Sequence, residues 1–129
     1  MKSILLVEDS RFLQRANERI LAKAGYHVET AADGEEALHM ASTTAPDLIL
    51  LDMLLPKLAG PQVLQALRKN PLTSQIPIIV LSSLPQSNEQ RLKAEGAVAY
   101  FEKSRLGLHN NSDALVDIVR STLKEQSRT

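Results

Sequence analysis

Five residues with carboxylate, hydroxyl or ammonium side chains stand at or just after the ends of short apolar runs in this 129-residue chain. They are Glu8, Asp9, Asp52, Ser82 and Lys103. Alone, each is most simply a turn residue or a helix cap. If the four runs are parallel strands, however, their carboxyl ends meet at one edge of a sheet, where ligands of open α/β sheets bind. The pattern therefore predicts one site built from all five side chains.

The chemistry of these five residues is that of phosphoryl transfer to a carboxylate. Three clustered carboxylates repel one another, and Lys103 offsets only part of their charge. A hard divalent cation with oxygen ligands, such as Mg²⁺, compensates for the rest. The Asp52 carboxylate can then attack phosphorus while the metal and Lys103 neutralise the phosphoryl oxygens, and Ser82 can hydrogen-bond one of those oxygens.

The elements that position these residues alternate along the chain. Apolar runs predict strands at residues 4–7, 26–31, 48–51, 76–81 and 97–101. Helical periodicity predicts helices at 11–24, 35–42, 85–95, and around 63–67 and 115–123. Such alternation is typical of an α/β domain in which a doubly wound, five-stranded parallel sheet forms the middle of three layers.

The first helix illustrates how the buried faces are predicted. Leu13, Ala16, Ile20 and Ala24 share one stripe at helical spacing, which predicts the face that packs on the sheet. Gly25 follows where a left-handed C-terminal cap is expected.

Composition excludes several classes of function. The chain has no cysteine, and its 15 basic and 15 acidic residues give a net charge of zero. Disulfide scaffolds and thiol catalysis are excluded, and nothing in the balance favours nucleic acid or a membrane surface. Arg11, Lys23, Arg68 and Lys69 are interpreted as solvated helix positions. We expect a single cytoplasmic domain over 1–129, ending in a short polar tail at 126–129, with no membrane span. Since no effector domain follows the last helix in this sequence, we expect the output to be either contact with another protein or a function of a portion outside this chain.

The motifs at the strand ends resemble those of the response-regulator receiver family over nearly the whole chain. The matching segments are Leu6-Val7-Glu8-Asp9-Ser10, Leu50-Leu51-Asp52 with Pro56 and Gly60, Val80-Leu81-Ser82-Ser83, and Gly96-Ala97 with Tyr100-Phe101-Glu102-Lys103. The resemblance implies a flavodoxin-like strand order 2-1-3-4-5 with five helices. It also implies a phosphorylation switch of two-component signalling.

The resemblance assigns a role to each site residue. Asp52 is the phosphoacceptor, and it shares Mg²⁺ with Glu8, Asp9 and the backbone carbonyl of Leu54, Asp9 being the more direct ligand. Ser82 and Lys103 contact the phosphoryl group, and Ser82 and Tyr100 form the switch. Leu54 and Leu84 flank the path of the hydrolytic water, where apolar side chains favour slow self-dephosphorylation.

The resemblance also implies partners. A sensor histidine kinase or a histidine phosphotransfer domain supplies the phosphoryl group, and the surface of helix four, strand five and helix five controls a downstream protein. The chain catalyses only its own phosphotransfer and dephosphorylation, as a monomer or a weak phosphorylation-dependent dimer. Of Phe12 and Leu13, one is expected to pack inward, and the other to form part of the docking surface for the phosphodonor.

Some features depart from the family pattern, and three alternative functions compete with this interpretation. Ser104 stands where the family has proline after the lysine, residues 104–112 form a long connection, and Leu55 replaces a methionine. A haloacid dehalogenase-like phosphatase would need a carboxylate at position 54, which is leucine, and a nucleotide-binding domain would need a glycine-rich loop after residue 7. A pseudo-receiver that acts only as an interaction module ranks second, because none of the acidic or lysine residues is lost.

Overall fold

The structure, a computed structural model, describes residues 2–52, 60–82, 97, 99–102 and 112–126. These residues contain five strands and four helices. The strands are β1 (Ser3–Val7), β2 (His27–Ala31), β3 (Leu48–Asp52), β4 (Ile78–Ser82) and β5 (Ala99–Glu102). The helices are α1 (Arg11–Lys23), α2 (Gly34–Thr44), α3 (Gly60–Lys69) and α4 (Ser112–Gln126). The helix predicted at 85–95 lies outside the described residues. None of the described helices is long and apolar enough to cross a membrane.

The strands form one parallel sheet in the order β2-β1-β3-β4-β5. This confirms the predicted order. The chain adds β2 on one side of β1 and then β3, β4 and β5 on the other side, so the order reverses at β1. At such a reversal the connections leaving the carboxyl ends of two neighbouring strands run to opposite faces of the sheet, leaving a crevice between them. The crevice here lies beyond the ends of β1 and β3.

Two apolar cores cover the two faces of the sheet and make the domain three-layered. Alternate residues of a strand point to opposite faces. Leu5 and Val7 of β1 accordingly pack in the core that contains residues of α2 and α3, whereas Ile4 and Leu6 pack in the core that contains Leu21 of α1 and residues of α4. Because β1, β3 and β4 are covered on both faces, they are apolar at nearly every position.

The buried face of α1 differs from the predicted stripe. The four residues of that stripe are only partly buried, whereas Asn17 and Leu21 are the buried residues of the helix. The predicted stripe contained only apolar residues, so it omitted the buried Asn17, and it also omitted Leu21 although that residue is apolar. Gly25 has φ +100°, as expected of the cap that follows α1.

β2, β4 and β5 begin later than predicted, and backbone hydrogen bonds explain the difference for β2 and β4. The Tyr26 N–H donates to the Leu21 carbonyl at 3.2 Å, so Tyr26 belongs to the turn that closes the end of α1, and β2 begins at His27. Pro77 has no N–H and joins the sheet only as an acceptor from Ile49, at 3.0 Å. β4 therefore begins at Ile78.

Arg68 is not a solvated helix residue, as the sequence had suggested. It is half-buried, and its Nη1 donates to the carbonyls of Ser74 and Ile76, each at 2.8 Å. Burial lowers the pKa of its guanidinium, which still stays protonated at neutral pH because arginine starts from so high a value. Arg68 thus ties the end of α3 to the chain that enters β4.

Candidate functional site

The register of the sheet places three of the predicted site residues, Glu8, Asp52 and Ser82, in one row at its carboxyl edge. Val7 pairs with Leu51, so the next residues, Glu8 and Asp52, lie side by side. Asp52 pairs with Leu81, and Ser82 is one residue further along β4. Ser82 pairs in turn with Glu102, the last residue of β5.

Three carboxylates converge at this edge. Glu8, Asp9 and Asp52 each offer an oxygen, and these oxygens all lie within 4.8 Å of one another. Glu8 is 0% and Asp52 1% exposed, whereas Asp9 is exposed. Two of the carboxylates are therefore held away from bulk water, and Asp9 leaves the cluster open to solvent on one side.

Hydrogen bonds in the turn between β1 and α1 hold Glu8 in place. The Glu8 N–H donates to the Ala31 carbonyl at 3.0 Å, which continues the sheet by one bond. The Ser10 N–H donates to Glu8 Oε2 at 3.3 Å, and Ser10 Oγ caps α1 by accepting from the Leu13 N–H at 3.4 Å. The positive end of the helix dipole lies next to this turn, where it favours negative side chains.

Gln14 contributes to this turn, although sequence reasoning had not singled it out. Its Nε2 donates to the backbone carbonyl of Glu8 at 3.0 Å. Gln14 lies in the second turn of α1, four residues after the Ser10 cap. An amide side chain there, next to a predicted acidic turn, is the one sequence signal that could have indicated it.

The structure brings together some of the predicted site residues and does not describe others. Glu8, Asp9 and Asp52 form one cluster, and Ser82 and Tyr100 are placed by backbone in β4 and β5. Leu54, Leu84 and Lys103 lie outside the described residues, as does Ser104, so their roles stay predictions.

Phe12 and Leu13 point in different directions, as predicted. Phe12 is 81% exposed, whereas Leu13 is partly buried. The exposed ring lies at the start of α1, on the same end of the molecule as the acidic cluster.

The donor set of the cluster fits a hard divalent cation. Carboxylate oxygens are the side-chain ligands that Mg²⁺ uses in proteins, and Mg²⁺ keeps several waters, which the open side at Asp9 allows. A cation at this position also offsets the repulsion among three like charges. We therefore regard the cluster as a candidate magnesium site.

Comparison with known proteins agrees with this geometry. The family model of the response regulator receiver domain matches residues 4–118. The chain belongs to the response-regulator receiver family. An acidic pocket that binds Mg²⁺ is typical of receiver domains, and the cluster of Glu8, Asp9 and Asp52 lies where such a pocket is expected.

Individual relatives show both the similarity and its extent. The chain is 41% identical over 114 residues to the gliding motility regulatory protein of Myxococcus xanthus, covering 87% of this chain and 14% of that protein. It is 42% identical over 103 residues to the alkaline phosphatase synthesis transcriptional regulatory protein PhoP of Bacillus subtilis, covering 79% of this chain and 42% of that protein. The receiver therefore spans less than half the length of these curated relatives.

A solved receiver domain has nearly the same size as this chain. The CheY-like response regulator receiver domain protein of Methanospirillum hungatei superimposes with a TM-score of 0.87 at 27% identity, covering 99% of this chain and 98% of that one. The flavodoxin-like receiver fold is thus shared over the whole receiver.

Proposed function

We propose that this receiver accepts a phosphoryl group on Asp52 from a phosphohistidine of a sensor kinase or a phosphotransfer domain. A carboxylate oxygen of Asp52 attacks phosphorus and forms an O–P bond, and the P–N bond of the donor breaks. The imidazole leaves with the electron pair of that bond and takes up a proton. The observation that supports this most strongly is the convergence of Glu8, Asp9 and Asp52 within 4.8 Å at the carboxyl edge of the sheet.

The carboxylates of Asp9 and Asp52, the carbonyl of Leu54 and, less directly, Glu8 would hold the metal. When bound, Mg²⁺ supplies positive charge beside the phosphoryl oxygens. Lys103 adds a second positive charge, and this lets the buried Asp52 approach an anionic donor.

The output would be a change of surface near β5. Ser82 would donate to a phosphoryl oxygen, Tyr100 would follow by changing its rotamer, and the segment 85–95 with β5 and α4 would present a new face to a downstream protein. Hydrogen exchange tests this: phosphorylation is expected to change exchange at 85–95 more than in α1. An unchanged profile at 85–95 would argue against this route of output.

The exposed Phe12 is proposed as part of the docking surface for the phosphodonor. It lies in a groove of about 490 Å³ that is lined by Arg11, Phe12, Arg15, Ala16 and Arg19. Aromatic and arginine side chains are common anchors of interfaces. Phe12→Ala is expected to slow transfer from a histidine kinase that labels the wild type, while labelling by acetyl phosphate, which needs no docking surface, stays unchanged.

Labelling with acetyl phosphate, or binding of beryllofluoride, in the presence and absence of Mg²⁺ tests the phosphoacceptor itself. We expect one phosphoryl group per chain only with Mg²⁺, and none in Asp52→Asn. Ser42→Ala serves as the control, because the Ser42 hydroxyl bonds only to carbonyls of its own helix. Labelling of Asp52→Asn, or no labelling of the wild type, would contradict the proposal, and the second result would favour a pseudo-receiver.

A further inference from the structure

The backbone of Glu8 continues β1 beyond the last paired residues of the sheet. The ladders of β1 with β2 and with β3 both end at Val7. The Glu8 N–H still finds a sheet partner in the Ala31 carbonyl, at 3.0 Å. Its carbonyl is satisfied instead by a side chain, since Gln14 Nε2 donates to it at 3.0 Å.

We infer that Gln14 is a positioning residue for the magnesium site, an inference that rests on the proposed function. Its amide takes the place of the ladder partner that the Glu8 carbonyl has lost. Gln14 thereby fixes the backbone from which the Glu8 carboxylate, and then Asp9, project toward Asp52.

Burial explains why this one hydrogen bond matters. Glu8 is 0% exposed, and loss of a hydrogen-bond donor to a buried carbonyl is costly, which favours rotation of that carbonyl toward water. Rotation of the peptide that follows Glu8 would move Asp9, which shares that peptide.

Electrostatic repulsion among the three carboxylates also favours movement of the β1–α1 turn. The three carboxylates lie within 4.8 Å of one another, so before a cation arrives they push the β1–α1 turn away from β3. Hydrogen bonds that oppose this movement at Glu8 include one from Gln14 Nε2 to the carbonyl and one from the Ser10 N–H to the side chain, at 3.3 Å. Gln14 thus keeps the ligands close together at the moment when Mg²⁺ must bind.

Calorimetric titration with MgCl₂ of the full chain tests the inference. Gln14→Met keeps the length and apolar stem of the side chain and removes the donor. We expect its Mg²⁺ affinity to be about tenfold weaker than that of the wild type, the lower end of what loss of a supporting hydrogen bond costs metal sites. Gln14→Glu is nearly isosteric and adds a negative charge near the metal. If positioning dominates, this variant also binds Mg²⁺ more weakly, despite the added charge.

Thr73→Val is the matched control for a merely structural effect. Thr73 Oγ1 also donates to a backbone carbonyl, that of Leu67 at 2.6 Å, but in the connection that leads into the amino end of β4. Its loss is expected to lower the urea midpoint and to leave the Mg²⁺ affinity within twofold of the wild type.

The outcomes separate this inference from the proposed function. Wild type that binds no Mg²⁺ overturns both. Wild-type affinity in Gln14→Met, or tighter binding in Gln14→Glu, overturns only the role of Gln14. If Gln14→Met fails to fold, Gln14→Glu decides the question. Equal losses of affinity in Gln14→Met and Thr73→Val would show a general effect of stability and would also overturn it.

Discussion

The two edges of the sheet treat charged groups in opposite ways. At the carboxyl edge, Glu8, Asp9 and Asp52 bring like charges within 4.8 Å. At the amino edge, the Asp47 carboxylate accepts from the Ser3 N–H at 2.7 Å, and Arg68 donates to two carbonyls at 2.8 Å each. The amino edge is thus closed by complementary partners within the chain, whereas the carboxyl edge is complemented best by a cation from outside.

The amino ends of the strands therefore contribute mainly to stability, and their carboxyl ends to the proposed function. Groups that are already satisfied stabilise the fold and have little capacity to bind anything else. Clustered carboxylates cost stability, and they recover it when a ligand of opposite charge binds. If the two edges are independent, changes at the amino edge should alter stability and leave the Mg²⁺ affinity unchanged.

The largest effect is expected from magnesium itself. Because only the folded chain brings the three carboxylates together, Mg²⁺ at one hundred times its Kd should raise the free energy of unfolding by about 2.7 kcal/mol. Asp9→Asn removes one charge of the cluster and is expected to abolish most of this gain. Urea unfolding with and without MgCl₂ measures it, with NaCl at equal ionic strength as the control. An equal gain from NaCl would mean that no specific site exists.

The amino edge offers the complementary change. Arg68→Met keeps the apolar stem and removes two hydrogen bonds from a charged donor. We expect the free energy of unfolding to fall by about 2 kcal/mol, since such bonds contribute roughly 1.5–3 kcal/mol each and partial exposure reduces that value.

Lys69→Met is the control for the lost charge at that edge. Lys69 is exposed, and its replacement should change the free energy of unfolding by less than about 0.5 kcal/mol. The Mg²⁺ affinity should be the same in both variants. A weaker affinity in Arg68→Met would show that the two edges are coupled.

Arg68 also shows where prediction from sequence reaches its limit. The apolar runs predicted the strands, and the strand order follows the family resemblance, so the meeting of Glu8 with Asp52 was predictable once the strands were parallel. Hydrophobic periodicity indicates which way a side chain leaves its helix. It does not show how far an arginine stem or a glutamine amide then reaches, and this is why the hydrogen bonds of Arg68 and Gln14 were missed.

Polar residues inside the fold were the second source of error. Asn17 is 7% exposed and lies at the centre of the buried face of α1. A pattern that counts only apolar residues gives no signal at a buried asparagine, and the stripe drawn through Ala16 and Ile20 omitted the apolar Leu21 as well. The predicted starts of β2 and β4 were also wrong, because each depends on a single backbone hydrogen bond, at Tyr26 and at Pro77, that the apolar pattern does not show.

At the carboxyl edge, the lifetime of the phosphorylated state is expected to depend on Leu54 and Leu84. Neither side chain can orient a water for in-line attack on phosphorus, so self-dephosphorylation should be slow. Leu54→Asn and Leu84→Glu are each expected to speed phosphate release by about tenfold, equivalent to about 1.4 kcal/mol of barrier. A time course of phosphate release after acetyl phosphate is removed measures this. Release no faster than that of the wild type in both variants would show that shielding by the leucines is unimportant.

The smallest effect concerns the only strained backbone position of a residue other than glycine among those described, which lies at the amino edge. Ala45 ends α2 in the left-handed region with φ 47°, where its Cβ crowds the backbone. This conformation costs an L-residue about 1–2 kcal/mol, whereas glycine adopts it freely but loses more chain entropy on folding. Ala45→Gly is therefore expected to raise the free energy of unfolding by about 0.5–1 kcal/mol.

Ala24 is the matched control, because it caps α1 with φ −80°, an ordinary value, and the left-handed residue there is already Gly25. Ala24→Gly should lower stability, since it adds chain entropy without relieving strain. Urea unfolding of the two variants gives opposite signs if the strain is real, and a loss of stability in both would show that it is not. The Mg²⁺ affinity should not change in either variant, because Ala45 lies at the edge that leads into β3, at the far end of that strand from Asp52.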